Sequence, residues 1–505
     1  MNKSTRLFNY RQPGRFFGTL LLAAAALLTG GCGGGEDTTT GYVSSPGFEP
    51  VAIKVNSASE ITQISAANYD NNVNGLITGA TLQNWIDDWQ NNRPAGITGR
   101  LIILQINNGP AGTQYITPKP DQGVLTYSII SDTGPNSRLV MSRSNGVTTT
   151  RAMVLDGASM DRFLREYGIN PRQDMIVFAM GTGGAFANMQ MGRGWYLFRY
   201  WGVEATHLAV LNGGASNAAV MNQTYLSDTV NCDENVDAGC LPNSGWISVK
   251  NLPDDNTILQ ATLEDVMDVV DGRTNAFIWD ARSANEYAAI QNVKQDGSGN
   301  NTTYLGIDFR NGGSKQGHPL GAVNLSFQNL LITSDGSFRY KDKTTIQAYL
   351  DGQQVDGAEF LYYDAGAVIP VGPGNAYQSG QTIITYCETT YRAMITGIAS
   401  AVILGLPVRF YDGAMVEWNT LASIQDQNSQ FILPADSPWR TDTVARSVFT
   451  YNTQTAIAPR QIDDPYAVHA NKIILADKAY KRGETPAGGG SGGGGVLLPP
   501  NPCGG

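Results

Sequence analysis

The chain has 505 residues, of which 42% are hydrophobic and only 15% charged, so it reads as a soluble, loop-rich globular protein of two or three domains. The formal charge is −10. Residues 1–31 carry Lys3, Arg6, Arg11 and Arg15 and no acid, which leaves 30 basic against 44 acidic residues, or −14, in the rest. Such a balance argues against nucleic acid, which needs a basic footprint, and against a basic patch lying on an anionic bilayer.

In chain order, the basic N-terminal stretch precedes the apolar run FFGTLLLAAAALLTGG, too short and isolated to read as a stable membrane span. Small residues then lead into Cys32, a pattern that resembles the lipobox of bacterial lipoproteins. The resemblance implies a signal peptide over 1–31, lipid on Cys32 and a bacterial cell-envelope location. No Asp follows Cys32, which points by the same resemblance to the outer membrane. Residues 32–50 are a flexible Gly/Ser/Thr/Pro tether.

A first unit is assigned to 51–245. RLIILQI reads as a buried strand, DRFLREYGI as a helix, and DMIVFA as a second strand. The loop MGTGGAFAN, the helix GWYLFRYWGV and the strand THLAVL complete it. Cys232 and Cys240 flank the polar stretch DENVDAG; a loop disulfide suits an oxidising envelope, and a metal site is the other reading, though no His or third Cys lies nearby.

A second unit is assigned to 246–422. Thr262 is a candidate N-cap with Asp265 three residues on, opening the helix TLEDVMDVV. The strand AFIWDAR follows, then GHPLGAVN, the strand QTIITY, the loop CETTYR, a helix through Leu404 and the strand VRFYDG. Gly397 inside that helix is expected to permit close packing. The alternation implies α/β domains built on parallel sheets with helices on both faces, and the matched order of elements suggests a duplication. Residues 423–480 lack clear periodicity and are expected to wrap the second unit; 481–505 form a Gly/Pro-rich tail expected to be disordered, with Cys503 unassigned.

Four landmarks in the second unit resemble the rhodanese family of sulfurtransferases. FIWDARSANEY is similar to its DVRSxxEY turn, GHPLGAVNL to GHIPGAxN, and VRFYDGAMVEW to the closing V..LDGGxxEW; TYCETTYRA sits where the family carries its active-site cysteine. The first unit resembles the family less closely, through DRFLREYGINPRQDMIVFAM and HLAVLNGG, and its MGTGG loop has no cysteine. The resemblance therefore implies a tandem protein of two rhodanese-like domains, an inactive one before an active one.

The chemistry expected of the corner follows from its backbone. A strand-to-helix turn points N–H groups inward at the positive end of a helix dipole, which favours a thiolate on Cys387. That thiolate would accept a sulfane sulfur by displacement and pass it from the persulfide to a second nucleophile. Arg392 adds positive charge to this loop, ties it to a neighbouring carboxylate, or does both. Thr389 and Thr390 offer hydroxyls as helix caps or sulfur contacts, and Glu388 and Tyr391 complete the loop. Asp280 and Arg282 match the family's D-x-R and are expected to brace the site's edge. His318 is expected to be structural, Asp412 and Trp418 to cap and pack the last strand, and His207 and His469 not to act as ligands.

The chain departs from the thiosulfate enzymes, which carry basic residues after the cysteine: Glu388 stands there, and Glu286 replaces another basic position. Thiosulfate is thus a poor candidate donor, and a persulfide, polysulfide or inorganic sulfur donor fits better. Four residues separate Cys387 from Arg392, one fewer than in the loop of rhodanese-like phosphatases. The expected partners are a small sulfur donor and a thiol or cyanide-like acceptor, with the membrane reached through the lipid; a non-enzymatic binding subunit of an envelope complex is the alternative. No metal or organic cofactor motif is present, so none is expected.

Overall fold

The computed structural model describes residues 51–130, 137–146, 149–235, 245–289, 294–295, 301–302, 317–364, 366–422, 433, 437–441 and 471–484. Cys32, Cys240, His469 and Cys503, with the signal, tether and tail, lie outside the described residues.

Two sheets organise the chain from Pro46 onward. The first contains β1 (Gly75–Ile77), β2 (Leu101–Ile106), β3 (Val124–Ser128), β4 (Met175–Met180), β5 (Leu208–Gly214) and β6 (Cys232–Asp233). Its order is β6-β3-β2-β4-β5-β1 and every pairing is parallel. The second contains β7 (Gln260–Ala261), β8 (Ala276–Asp280), β9 (Val323–Asn324), β10 (Leu361–Asp364), β11 (Ala367–Pro370), β12 (Thr382–Tyr386) and β13 (Val408–Tyr411). Its order is β7-β13-β12-β8-β9-β10-β11, parallel through β9 and antiparallel in the last two pairings. In the second sheet the five parallel strands run first-fifth-fourth-second-third, and the first five strands of the first sheet run in the same order, with β6 added as a sixth beside β3. This is the α/β architecture, with parallel sheets and flanking helices, that the alternating sequence pattern implies.

The helices that position the site are α1 (Gly79–Asp87), α2 (Gly157–Glu166), α3 (Ala185–Tyr200), α4 (Leu263–Val270), α5 (Lys343–Leu350), α6 (Tyr391–Ile398), α7 (Ala414–Ala422) and α8 (Lys472–Lys481). Thr262 caps α4 in a capping box with Asp265, as its spacing predicts. Helix α6 continues as one π-helical turn over Ala399–Ile403.

Strand alternation distributes the core. In β2, Leu101 and Ile103 join a cluster with Trp85 and Trp89 on one face, while Ile102, Leu104 and Ile106 join a larger cluster on the other. In β12, Ile384 and Tyr386 pack outward with α4 and α7, while Ile383 and the following Cys387 face that larger cluster. The larger cluster holds residues of both units, so the two sheets share one core between them. Helices α3 and α6 meet inside it: a Cβ on Gly192 would come within 2.8 Å of Met394 Cβ. A Cβ on Gly397 would lie 2.0 Å from the Phe410 ring, which is the close packing expected of that glycine.

Two helices differ from the sequence expectation. Helix α3 begins at Ala185, nine residues before the predicted GWYLFRYWGV, because Ala187 to Arg193 are buried and hold the first turns without a side-chain cap. Helix α8, the described end of the stretch expected to wrap the second unit, touches both units: Asp477 accepts from Arg143 (2.8 and 2.6 Å) and Tyr200 (2.8 Å), Lys481 donates to the Trp201 carbonyl at 2.9 Å, and Lys250 of the second unit lies over the Tyr480 ring at 4.3 Å.

Candidate active site

Cys387 follows the last residue of β12, a strand flanked by β8 and β13 in the middle of its sheet. It is a free thiol. The chain turns through Glu388, Thr389 and Thr390 and enters α6 at Tyr391. Thr390 holds φ at +64°, a left-handed conformation costly for a β-branched residue and common where surrounding structure fixes a functional turn. Its hydroxyl donates to the Tyr411 carbonyl at 2.7 Å, so it does not cap α6 through its side chain. The helix-cap role expected of Thr390 is therefore replaced by an anchor to β13. On the loop's other side, the N–H groups of Met415 and Val416 donate to the carbonyls of Cys387 (3.3 Å) and Glu388 (3.4 Å). The start of α7 thus holds the loop.

Arg392 settles on a carboxylate. Its guanidinium forks onto Glu286 at 2.7 and 2.9 Å and lies 3.5 Å from Glu388. The tie to neighbouring acids, one of the two roles open to it, is thus present. Glu286 is itself fixed by a capping box, with its Oε2 accepting from the backbone N–H (3.1 Å) and hydroxyl (2.8 Å) of Ser283. Burial pushes the Glu286 carboxyl up, but Arg392 outweighs it and holds the group down at about 2.

Asp280 and Arg282 brace the edge as expected. Both are fully buried; Arg282 reaches Asp280 through Nε (2.9 Å) and Nη2 (2.5 Å) and donates to the Gly317 carbonyl at 2.5 Å. The Tyr386 hydroxyl, one residue before Cys387, donates to Asp280 at 2.8 Å. His318 stacks on Tyr287 at 3.8 Å and donates through Nδ1 to the Tyr287 carbonyl, a structural role. His207 likewise bonds the Asp174 carbonyl.

The first unit contributes to the corner in a way not legible from sequence. Phe186 packs on Tyr391 at 5.5 Å, and Arg193 lies over the same ring at 5.5 Å. Arg193 pairs with Asp412 at 2.6 Å, both fully buried, so Asp412 joins the two units instead of only capping β13. Trp418 is buried as expected. The whole stretch from Cys387 to Tyr391 is buried, with Cys387 at 0% exposure. A cleft of about 550 Å³ lined by Tyr69, Asn212, Arg339 and Asp342 includes no residue of this loop. Cys232 lies in β6, while Cys240, its expected partner, is outside the described residues. Among the described residues, no group of three or more His, Cys, Asp or Glu is placed to hold a metal ion.

Glu417, whose burial no local pattern announces, lies in α7 beside Asn145 and Tyr411. Burial raises its carboxyl to about 7; Tyr411 and Asn145 oppose that rise and Asp412 adds to it. Because the folded value lies above the unfolded 4.5, its contribution to stability is greatest below pH 4.5 and is lost as pH rises to about 7. The loss is on the order of 3 kcal/mol, because each pH unit between the two values is worth about 1.36 kcal/mol. Glu417→Gln should remove it: in urea unfolding at several pH values, the variant is expected to gain on the wild type steadily from pH 5 to 7. A constant difference across that range would contradict the assignment.

Residues 262–421 match the model of the rhodanese-like domain, a span from α4 into α7 that contains the Glu286 turn and the Cys387 loop. The second unit is thus a rhodanese-like domain. Among curated proteins none matches the sequence. Solved structures similar to the chain include the Tum1 protein of Saccharomyces cerevisiae, 13% identical over 69% of this chain and 95% of that one, with a TM-score of 0.44. The 3-mercaptopyruvate sulfotransferase SseA of Escherichia coli is 18% identical over 68% of this chain and 98% of its own, with a TM-score of 0.39. An anaerobic ergothioneine biosynthesis enzyme from Chlorobium limicola is 13% identical over 71% of each chain, with a TM-score of 0.40.

Proposed function

We propose that the protein is a sulfurtransferase that carries a sulfane sulfur as a persulfide on Cys387. The observation that carries this reading is the position of Cys387: a free thiol at the carboxyl end of a central parallel strand, before a helix, within the rhodanese-like domain. Crevices at the carboxyl ends of parallel strands are where open α/β sheets bind ligands. In the first half-reaction the Cys387 thiolate attacks the outer sulfur of the donor. The Cys387–sulfur bond forms as the donor's sulfur–sulfur bond breaks, and the donor remnant leaves with the electron pair. A thiol or cyanide-like acceptor then attacks the outer sulfur and releases the Cys387 thiolate, which gives ping-pong kinetics. Glu388, Thr389, Thr390, Tyr391 and Arg392 form the loop around the sulfur, and Asp280 and Arg282 support it.

The shared strand order of the two sheets and the cysteine-free Gly181–Gly184 loop before α3 support a tandem protein whose first domain (51–245) is inactive and whose second (246–422) is catalytic. Cys32 carries lipid after removal of 1–31, holding the protein in a bacterial envelope at the outer membrane, and Cys232 pairs with Cys240.

Loading and cyanolysis test the mechanism. Purified protein treated with a sulfane donor should gain about 32 Da, one sulfur atom, on the Cys387 peptide. It should release thiocyanate on addition of cyanide, and Cys387→Ser should do neither. A second reading, a non-enzymatic rhodanese-fold subunit of an envelope complex, is favoured by the complete burial of Cys387 and its loop. Equal background rates for wild type and Cys387→Ser would decide for it.

A further inference from the structure

We propose that the cleft at the carboxyl ends of β1 and β5 binds a small zwitterion, an α-amino acid. Its carboxylate would lie at Asn212, Arg339 and the first turn of α1, and its ammonium at Asp70. This site shares no residue with the Cys387 loop and does not rest on the persulfide reading.

The cleft has a volume of about 550 Å³, within the range of small-molecule sites. Its place follows from the sheet. Strands β1 and β5 are parallel neighbours with Ile77 opposite Leu211, so the chain leaves them with Thr78 beside Asn212. The carboxyl ends of parallel strands are where open α/β sheets bind ligands. The second unit adds Arg339 and Asp342 to the lining, so the site is complete only where the two units meet.

Hydrogen-bond donors gather on one side of this cleft. Asn212 is only 6% exposed. Its Oδ1 accepts from the Tyr340 N–H at 2.8 Å, which fixes the orientation of the amide. Its Nδ2 donates to no described residue, yet it is not sealed from solvent, and the surface Asn212 presents is cleft wall. Arg339 donates through Nε to the Ser337 hydroxyl (3.1 Å) and through Nη2 to Asp335 (2.8 Å), which leaves Nη1 without an acceptor among the described residues. The N–H groups of Gly79 and Ala80, in the first turn of α1, likewise have no acceptor among the described residues, and the helix dipole adds positive potential there.

Those donors call for an anion, but the lining as a whole is not basic. Asp335 balances the charge of Arg339. Asp342 is committed to capping α5, where it accepts from the Thr344 hydroxyl (2.6 Å) and from the Thr345 N–H and hydroxyl (2.8 Å each). The Asp70 carboxylate is bonded to no described residue, and it stands close to the same first turn: the Asp70 carbonyl accepts from the Thr81 hydroxyl at 3.4 Å. Inorganic phosphate or a simple carboxylate would meet this uncompensated charge. An α-amino acid brings an anion for the donors and a cation for Asp70, with no net charge.

Calorimetric titration of the purified protein with each of the common L-α-amino acids, and with acetate, methylammonium and inorganic phosphate, tests the site. At least one amino acid is expected to bind one-to-one, about tenfold or more tighter than acetate, methylammonium or phosphate. Asn212→Asp keeps the oxygen that takes the Tyr340 N–H but replaces the Nδ2 donor with a charged acceptor, and should weaken binding by about a hundredfold. Arg339→Gln should weaken it by about tenfold. Asp70→Asn should weaken the amino acid by about tenfold while leaving acetate as tight or tighter, a split that a merely structural change would not produce. Asp70 is exposed and the Arg339 side chain is 33% exposed, so these two variants carry the test should Asn212→Asp not fold. Absence of saturable binding by every amino acid overturns the inference. So does phosphate or acetate binding as tightly as the best amino acid, and so do variants that bind it as the wild type does.

Discussion

Arg193→Met should destabilise the protein by about 3–5 kcal/mol, the usual cost of removing one partner from a buried ion pair. Arg193 on α3 and Asp412 after β13 have no solvent exposure and meet at 2.6 Å. Burial disfavours the Arg193 charge, and Asp412 more than restores it. Asp412 also accepts from the Val154 N–H at 2.9 Å, and Arg193 donates to the Ala152 carbonyl. The pair therefore ties three segments together: the chain entering α2, helix α3 and the end of β13. Methionine fills much of the volume but leaves Asp412 with only Val154 and a 3.4 Å contact from Gln260. Equilibrium urea unfolding would measure the loss. Arg193→Met combined with Asp412→Leu should cost less than the sum of the two single changes, because the double variant leaves no buried charge behind. A single-variant loss below about 1 kcal/mol would show that water reaches Asp412.

This pair also marks where sequence reading stops. Asp412 reads as a cap for its own strand because its partner lies 219 residues away, and no local pattern announces such a contact. Features encoded within a few residues are legible. The Thr262–Asp265 box, the apolar strand before Cys387, the helix after it and the tight place of Gly397 all follow from spacing alone. Short strands are not. GLI in β1 has three residues, too few for any period to register, and VLTYS in β3 is no more distinctive than the loops around it. The site divides in the same way. Cys387, Arg392 and the Asp280–Arg282 brace stand in local motifs. The choice of Glu286 by Arg392, the turn of Thr390 toward Tyr411 and the cover supplied by Phe186 depend on how the chain returns to itself. The raised carboxyl of Glu417 is equally silent, because a glutamate next to a tryptophan carries no sign of its burial.

Asp280→Asn should cost about 3–5 kcal/mol and slow sulfur loading of Cys387 as well. Asn keeps the shape of Asp but not its charge, and Arg282 would remain cationic and fully buried, with the Gly317 carbonyl still accepting from it. With the Asn oxygen at Oδ1, the 2.9 Å bond from Arg282 Nε keeps its acceptor but loses the charge, and the 2.5 Å bond from Nη2 to Oδ2 is lost. The same exchange at Oδ2 removes the acceptor of the Tyr386 hydroxyl, the bond that fastens the residue before Cys387 to the neighbouring strand. Weakening that anchor loosens the end of β12 from which the thiol projects. A small displacement there moves the sulfur from the line of attack on the donor, and misalignment of about 1 Å can cost a hundredfold in rate. Unfolding curves and single-turnover loading, followed on the same preparations, separate the two effects. Arg282→Met is the control: it relieves the buried cation but leaves Asp280 to hold Tyr386, so it should lose stability while retaining more of the loading rate than Asp280→Asn. Equal loading by the two variants would mean that the Tyr386 anchor does not position the thiol.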